Sequence, residues 1–312
     1  MTRARWWLAG QALVTIVLLA VLARSLALDA LRRVLLGLPL SFYLLSLAVV
    51  LAGQIAYAWR WRLLLKAADV EVPFTVVLQQ YFIGIFVNNF LPSTVGGDAA
   101  KVYYLGGRYG YRTVAASVAM DRVLGVGVLA SLAVVALAFT SVEATRLTAA
   151  QAACFGVALL VAGFLLLTRL GTGGLPSRVR WLGKRAVTLA ERLQRLRLEM
   201  AAPLSRPVVV VEAAIVVIAY ALAVTAVYQR FVTVQSGTTP PFFTLFAVVT
   251  ATVVLSNFPL SLNGLGLREQ LHASLLSPLG ISPEVAVAIS LLIYAHLLVA
   301  SLIGLAFWLQ AR

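Results

Sequence analysis

Cysteine, histidine and acidic residues are scarce in this 312-residue chain, and each shortage argues against a class of site. The single cysteine, Cys154, excludes an intramolecular disulfide framework, and with only two histidines it excludes a metal site built from several Cys or His ligands. Eleven scattered acidic residues leave few carboxylate pairs for acid–base catalysis. The chain also has no sequence motif typical of nucleotide binding, serine hydrolases or zinc proteases. We therefore expect no metal, no cofactor and no enzymatic activity.

Apolar residues, in contrast, are abundant. Hydrophobic residues make up 62% of the chain and charged residues 12%, whereas soluble domains contain about 45–50% and about 25%. Several apolar runs are long enough to cross a bilayer as helices. These features predict an all-α polytopic membrane protein. The net charge of +14 then indicates an affinity for anionic lipid and a role in membrane orientation, and we expect no nucleic-acid partner.

Six apolar runs are predicted to be full transmembrane helices. They cover approximately 6–22, 40–59, 114–140, 151–168, 208–229 and 285–309. The first run has no small-residue cleavage site before Arg24, so we expect a retained helix rather than a signal peptide. Residues 24–38 mix leucine with arginine and are typical of an amphipathic helix at the membrane interface.

The basic segment 169–206 sets the predicted orientation of these spans. It contains nine Lys or Arg residues and only two Glu, so the positive-inside rule predicts that it is cytoplasmic. The same rule places 60–73 and 100–113 in the cytoplasm. The chain is therefore expected to lie in the inner membrane with both termini on the cytoplasmic side.

Two apolar segments do not fit this orientation as single crossings. The first segment has a cytoplasmic stretch before it and another after it. A single crossing cannot start and end on the same side, so we predict a re-entrant hairpin over 74–107. The other must enter from the outside and return there, which predicts a second re-entrant hairpin over 242–280. Interrupted helices at this depth are tolerated where protein or water satisfies the backbone.

The turning points of the two hairpins resemble each other in sequence. At an offset of 168, four residues of the first match four of the second: Asn89, Phe90, Ser93 and Gly96 match Asn257, Phe258, Ser261 and Gly264. Related tips entering from opposite faces are what an inverted-topology repeat produces. We therefore predict one domain over 1–312, with a first half of about 1–140 and a second half of about 208–312. The residues predicted to form the turns are Pro92, Gly96, Gly97, Gly264 and Gly266. The alternative is that these residues only kink packed helices.

Charged residues near the two tips are candidates for binding a lipid headgroup, because a charge within the bilayer is costly unless it is paired or faces a cavity. The candidates are Asp98, Lys101, Asp121, Arg122, Arg268 and Glu269. Their basic members are predicted to neutralise a phosphate, and their acidic members to orient the cations or meet a positive headgroup. The alternative is that all six form closed ion pairs between helices.

Four further polar residues, and a second possible role of Asp98, complete the set of expectations. Asn89 and Asn263 are predicted to line the same path, or to join helices by hydrogen bonds. Asp98 is also a candidate N-cap of the helix after the first tip. We expect His272 near the outer surface and His296 to be a packing residue of the last span.

Three ordered motifs resemble the transmembrane region of lysylphosphatidylglycerol synthases. They are NNFLPSTVGGDAAKVYYL (88–105), MDRVLGV (120–126) and PLSLNGLGLREQ (259–270). The resemblance covers nearly the whole chain and implies a protein that moves a lipid between leaflets. The family pattern points to Pro92, Gly96, Gly97, Asp98, Arg122, Gly264, Gly266, Arg268 and Glu269. Lys101 stands where the family often has arginine. Bifunctional members continue into a soluble aminoacyl-transferase domain, whereas this sequence ends at Arg312, so we expect it not to make lysyl-lipid.

The sequence thus predicts a lipid flippase or scramblase with a polar cavity at mid-bilayer. Its expected partners are membrane lipids: an anionic or aminoacylated phospholipid, a hopanoid or a glycolipid. One alternative is a membrane-embedded transferase acting on a lipid-linked substrate, with Asp98, Asp121 or Glu269 as base. Another is a non-transporting membrane protein that recruits a partner through 169–206. The oligomeric state stays open.

Overall fold

The computed structural model describes residues 13–21, 24, 27–90, 96–140, 145–170, 184–258 and 261–310. Within these ranges the regular structure is entirely helical, which confirms the all-α prediction. The helices are α1 (Leu28–Leu36), α2 (Leu40–Ala67), α3 (Phe74–Phe90), α4 (Gly96–Tyr109), α5 (Tyr111–Ala138), α6 (Thr145–Leu170), α7 (Lys184–Ala201), α8 (Pro207–Ser236), α9 (Phe242–Ser256), α10 (Leu267–Leu276) and α11 (Pro283–Gln310). Residues 13–21 are helical too, and three short 3-10 turns are Pro203–Ser205, Leu262–Gly264 and Ser277–Leu279.

Five of the described helices are long and apolar enough to cross a membrane: α2, α5, α6 over Leu147–Leu166, α8 and α11. A 28-residue helix such as α5 rises about 42 Å, which exceeds the roughly 30 Å of a hydrocarbon core. The five helices coincide with five of the six predicted spans, so the chain is a polytopic membrane protein. Of the first predicted span, 6–22, the structure describes only 13–21.

Each predicted hairpin consists of two shorter helices packed against each other, α3 with α4 and α9 with α10. The first helix pair (α3–α4) is antiparallel, because Asn88 contacts Gly97 across it and Tyr81 contacts Lys101. In the second helix pair (α9–α10), α9 has 15 residues and a length of about 22 Å, too short to span the core. This geometry suits a re-entrant hairpin, and the side from which each pair enters the membrane stays a prediction.

The described residues just before α10 adopt left-handed backbone conformations. Asn263, Gly264 and Gly266 all have positive φ angles, of 49°, 74° and 78°, a region that glycine adopts without steric cost. In the first pair, Gly96 and Gly97 are already the first two residues of α4. The offset of 168 therefore aligns the start of α4 with a residue in the turn before α10. Pro92 lies outside the described residues, as does 171–183 of the basic segment.

The last helix, α11, lies against both pairs. Its most extensive packing is with α3, and it also packs against α10. Gly304 approaches α3 so closely that a Cβ atom there would lie 2.1 Å from the carbonyl oxygen of Phe82. Small residues allow this approach between membrane helices, where dispersion contacts replace the hydrophobic effect as the source of stability. The position of α11 therefore fixes the two pairs relative to each other.

The packing of α11 against α3 predicts a stability defect for Gly304→Ala. The added methyl group must displace the backbone at Phe82, and overpacking of this kind costs about 1–3 kcal/mol. We expect a lower midpoint of thermal unfolding for the purified protein in detergent. Gly163→Ala in α6 is the matched control, because a Cβ there meets nothing within 4 Å. Equal midpoints for the two variants would contradict the close packing of α3 and α11.

Candidate functional site

Five charged residues form the first cluster, where α2, α4 and α5 meet: Arg60, Asp98, Lys101, Asp121 and Arg122. The carboxylate of Asp98 accepts hydrogen bonds from Arg122 Nε and, at 3.5 Å, from Lys101 Nζ. The carboxylate of Asp121 accepts one from Arg60 Nε at 2.7 Å. Asp121 and Arg122 are neighbours in sequence but bind different helices, because successive residues of an α-helix point about 100° apart.

Aromatic rings surround the buried cations of this cluster. Lys101 Nζ lies 4.4 Å from the centre of the Tyr81 ring and 5.2 Å from that of Trp61. The guanidinium carbon of Arg60 lies 4.5 Å from the centre of the Tyr57 ring. Such cation–π contacts partly replace the solvation that a buried cation loses.

The first cluster has a positive formal charge, since it contains three basic and two acidic side chains. Four of the five residues are buried. The side chain of Arg122 is 44% exposed while it binds Asp98, so it lies at the edge of the cluster. The cluster therefore presents a guanidinium group outward from a buried network.

The second cluster is built around Glu269, which is 0% exposed. Its Oε1 accepts hydrogen bonds from Arg268 Nη2 at 2.8 Å and from Ser290 Oγ at 3.0 Å, and Oε2 accepts one from the Gly266 N–H at 2.7 Å. The last contact is half of a capping box, in which the third helical residue binds the backbone N–H before the helix. The guanidinium carbon of Arg268 lies 4.8 Å from the centre of the Tyr294 ring.

His272, which was expected near the outer surface, belongs to this cluster and is buried within the protein. The residue is 2% exposed. Its Nδ1 lies 2.7 Å from the Arg268 carbonyl oxygen and its Nε2 lies 2.6 Å from the Tyr228 hydroxyl. A carbonyl only accepts, so Nδ1 donates to it, and Nε2 shares a hydrogen bond with the Tyr228 hydroxyl. His272 therefore joins α10 to α8.

The tips of the two helix pairs contact each other directly. Asn263 Nδ2 donates to Asn89 Oδ1, and Asn89 Nδ2 donates to Ser301 Oγ of α11. The sequence match paired Asn89 with Asn257, but Asn257 is exposed and donates to the carbonyl of Val253 in its own helix. The two predicted polar residues Asn89 and Asn263 are thus brought together, on the surface of α11.

The two pairs place a carboxylate at equivalent positions. Asp98 is the third residue of α4 and Glu269 is the third residue of α10, and each binds an arginine. A negative charge in the first turn of a helix is favoured by the helix dipole. Asp98 therefore lies within the helix, not at the N-cap position that the sequence suggested.

Sequence reasoning missed Arg60, which it assigned to a cytoplasmic segment, 60–73. The structure continues α2 to Ala67, and Arg60 is 5% exposed. The helical spacing of Tyr57, Trp61 and Leu64 around Arg60 was the available signal for a buried face. Ser290 and Tyr228 had no such signal, because single polar residues in apolar helices are common. His296 is buried, and its Nδ1 has no hydrogen-bond partner within the described part of the chain.

Residues 7–304 match the profile of the family described as the lysylphosphatidylglycerol synthase TM region. Two curated relatives are called UPF0104 membrane proteins. The one from Pyrococcus horikoshii is 37% identical over 89 residues, which are 27% of this chain and 27% of the relative. The one from Methanothermobacter thermautotrophicus is 26% identical over 289 residues, 84% of this chain and 82% of the relative.

The family description overturns the expectation that the chain has no enzymatic activity. The family is named for lysylphosphatidylglycerol synthase, which is an enzyme. The expectation was based on missing motifs of nucleotide-binding proteins, hydrolases and zinc proteases. Those motifs do not represent the chemistry of a lipid synthase, so their absence was a poor guide.

The Arg60–Asp121 pair predicts a rescue experiment. Arg60→Gln leaves a buried carboxylate without its cation, and breaking a buried pair in this way costs about 3–5 kcal/mol. We expect a large loss of thermal stability in detergent. The double variant Arg60→Gln, Asp121→Asn removes both charges and should recover much of that loss. A double variant that is no more stable than Arg60→Gln would show that the pair is not coupled.

Proposed function

Because the chain belongs to the lysylphosphatidylglycerol synthase TM region family, we propose that it binds the headgroup of a membrane lipid between its two helix pairs and moves it between leaflets. The observation that carries this proposal is the contact between the two tips, Asn89 with Asn263. Each helix pair also contributes a buried carboxylate that binds an arginine. Polar groups from both pairs therefore converge within an apolar bundle.

The charge of the first cluster favours a lipid that carries a phosphate. Three basic side chains are balanced by two carboxylates, so one further negative charge would neutralise the cluster. Arg122 is the exposed member, and a guanidinium group binds phosphate oxygens with directional, charge-assisted hydrogen bonds. Anionic and aminoacylated phosphatidylglycerol both have this phosphate. A hopanoid or a phosphate-free glycolipid does not have this phosphate.

The depth of Arg122 is suited to a headgroup that crosses the bilayer. Arg122 lies about three turns into α5, which begins at Tyr111, and thus about 16 Å along the helix axis. That distance is about half the thickness of a hydrocarbon core of roughly 30 Å. A cation at this depth normally pairs or faces a polar cavity. Arg122 supports the transport proposal by combining both features, since it pairs with Asp98 and remains exposed.

The positive-inside rule extends the proposal to the identity of the membrane and to the orientation of the protein in it. The basic segment 169–206 favours the cytoplasmic face, and this supports our proposal of an inner-membrane protein with cytoplasmic termini. In this arrangement the first helix pair opens toward the cytoplasm and the second toward the opposite side. The headgroup would pass from one to the other at the tip contact, while the acyl chains stay in the bilayer.

A reconstitution assay tests this function. Proteoliposomes containing fluorescent phosphatidylglycerol should show protein-dependent movement of the probe between leaflets, and Arg122→Gln should reduce its rate at least tenfold. Arg112→Gln is the matched control, because Arg112 is an exposed arginine on the same helix, away from the cluster. Thermal midpoints of the variants check their folding. Wild-type vesicles with no movement, or equal rates for the two variants, would contradict the proposal.

Cross-linking tests whether the tips must separate during transport. Replacing Cys154 with serine removes the single cysteine, and Asn89→Cys with Asn263→Cys places a thiol on each tip. Oxidation of this variant should stop translocation, and reduction should restore it, because a bond between the tips prevents a headgroup from passing. The two single-cysteine variants under the same oxidant are the controls. Full activity of the cross-linked protein would show that the headgroup takes another route.

A further inference from the structure

A groove of about 280 Å³ lies between α5, α6 and α9. We call it the α5–α6–α9 groove. Its lining includes Val126 of α5, Leu160 and Phe164 of α6, and Asn257 and Phe258 at the end of α9. Its volume is close to the lower end of the range for ligand pockets, about 300–1,000 Å³. The lining is almost entirely apolar, which excludes a headgroup as its occupant.

The groove is open toward the outside of the bundle. Leu160 is 75% exposed, Phe258 is 43% exposed and Phe164 is 38% exposed. Leu160 and Phe164 lie on α6, which is long and apolar enough to cross a membrane, and Phe258 follows the shorter apolar helix α9. Their exposed side chains therefore face the region that lipid tails occupy. An apolar chain could enter the groove sideways without passing through water.

Arg122 is not part of the groove lining, but its sequence neighbour Val123 is. Arg122 and Val126 are four residues apart on α5, so they lie on the same face of the helix, one turn or about 5.4 Å apart along its axis. A charged, partly exposed guanidinium group is thus adjacent to an apolar channel. The cation and the apolar groove together complement a lipid that has a negatively charged headgroup and apolar tails.

We propose that the α5–α6–α9 groove holds one acyl chain of an anionic glycerophospholipid whose phosphate binds Arg122. The proposal rests on the proposed function, and it adds a site for the lipid tail to the site for the headgroup. The second helix pair forms part of the groove through Asn257 and Phe258. The tail would therefore contact both halves of the protein while the headgroup passes the tip contact.

Photolabelling tests the site directly. Wild-type protein is reconstituted with phosphatidylglycerol that carries a photoreactive diazirine in one acyl chain, and the labelled residues are identified by mass spectrometry. We expect adducts on Val126, Leu160 or Phe258. Excess unlabelled phosphatidylglycerol should prevent these adducts, whereas the same amount of phosphatidylcholine should not. Val135, a residue of α5 that is 56% exposed and outside the groove, should be labelled without competition. Groove labelling that also resists competition would overturn the proposal.

A matched pair of substitutions tests whether the groove takes part in transport. Leu160→Trp places a bulky side chain over the groove, and Leu159→Trp places the same side chain beside it, since Leu159 is 56% exposed and is not part of the lining. We expect Leu160→Trp to reduce groove labelling and phosphatidylglycerol translocation at least fivefold. Leu159→Trp should leave both unchanged. Equal behaviour of the two variants would overturn the groove proposal.

The outcomes separate this proposal from the proposed function. If Arg122→Gln abolishes translocation while Leu160→Trp has no effect, the headgroup site stands and the groove proposal is wrong. If the groove is labelled competitively but wild-type vesicles show no translocation, lipid binding in the groove stands and the transport function is wrong.

Discussion

The pairing of buried charges between helices is the interaction on which the rest of this structure depends. A charged group within an apolar bundle is costly to bury, and removing its partner is destabilising. Arg60 with Asp121 joins α2 to α5, and Asp98 with Arg122 joins α4 to α5. Glu269, through Ser290, joins α10 to α11. Each helix pair is thus attached to a full-length helix by a carboxylate in the first turn of its second helix.

One face of α11 connects these attachments. Ser290 binds Glu269 of the second cluster. Ser301 binds Asn89 at the tip of α3, and Gly304 packs against Phe82, also of α3. These positions follow helical spacing, so a single face contacts both pairs. The position of α11 therefore affects both helix pairs together.

Three consecutive residues of α5 illustrate how the bundle separates charge from apolar surface. Asp121 points inward to Arg60, Arg122 lies at the edge of the first cluster, and Val123 lines the apolar groove. The turn of about 100° per residue gives each side chain a different neighbour. The result is a charged cluster and an apolar groove on different faces of one helix.

The sequence alone determined that the chain is an all-α membrane protein, because apolar runs and their interruptions are local properties. It also identified Asp98, Arg122, Arg268 and Glu269 as charges that need partners or a cavity. Only the tertiary structure decided which partners they have: Asp121 binds Arg60 rather than its neighbour, Asn89 meets Asn263 rather than Asn257, and His272 is buried against Tyr228. These contacts depend on the rotation and relative depth of packed helices, which hydropathy along one chain does not encode.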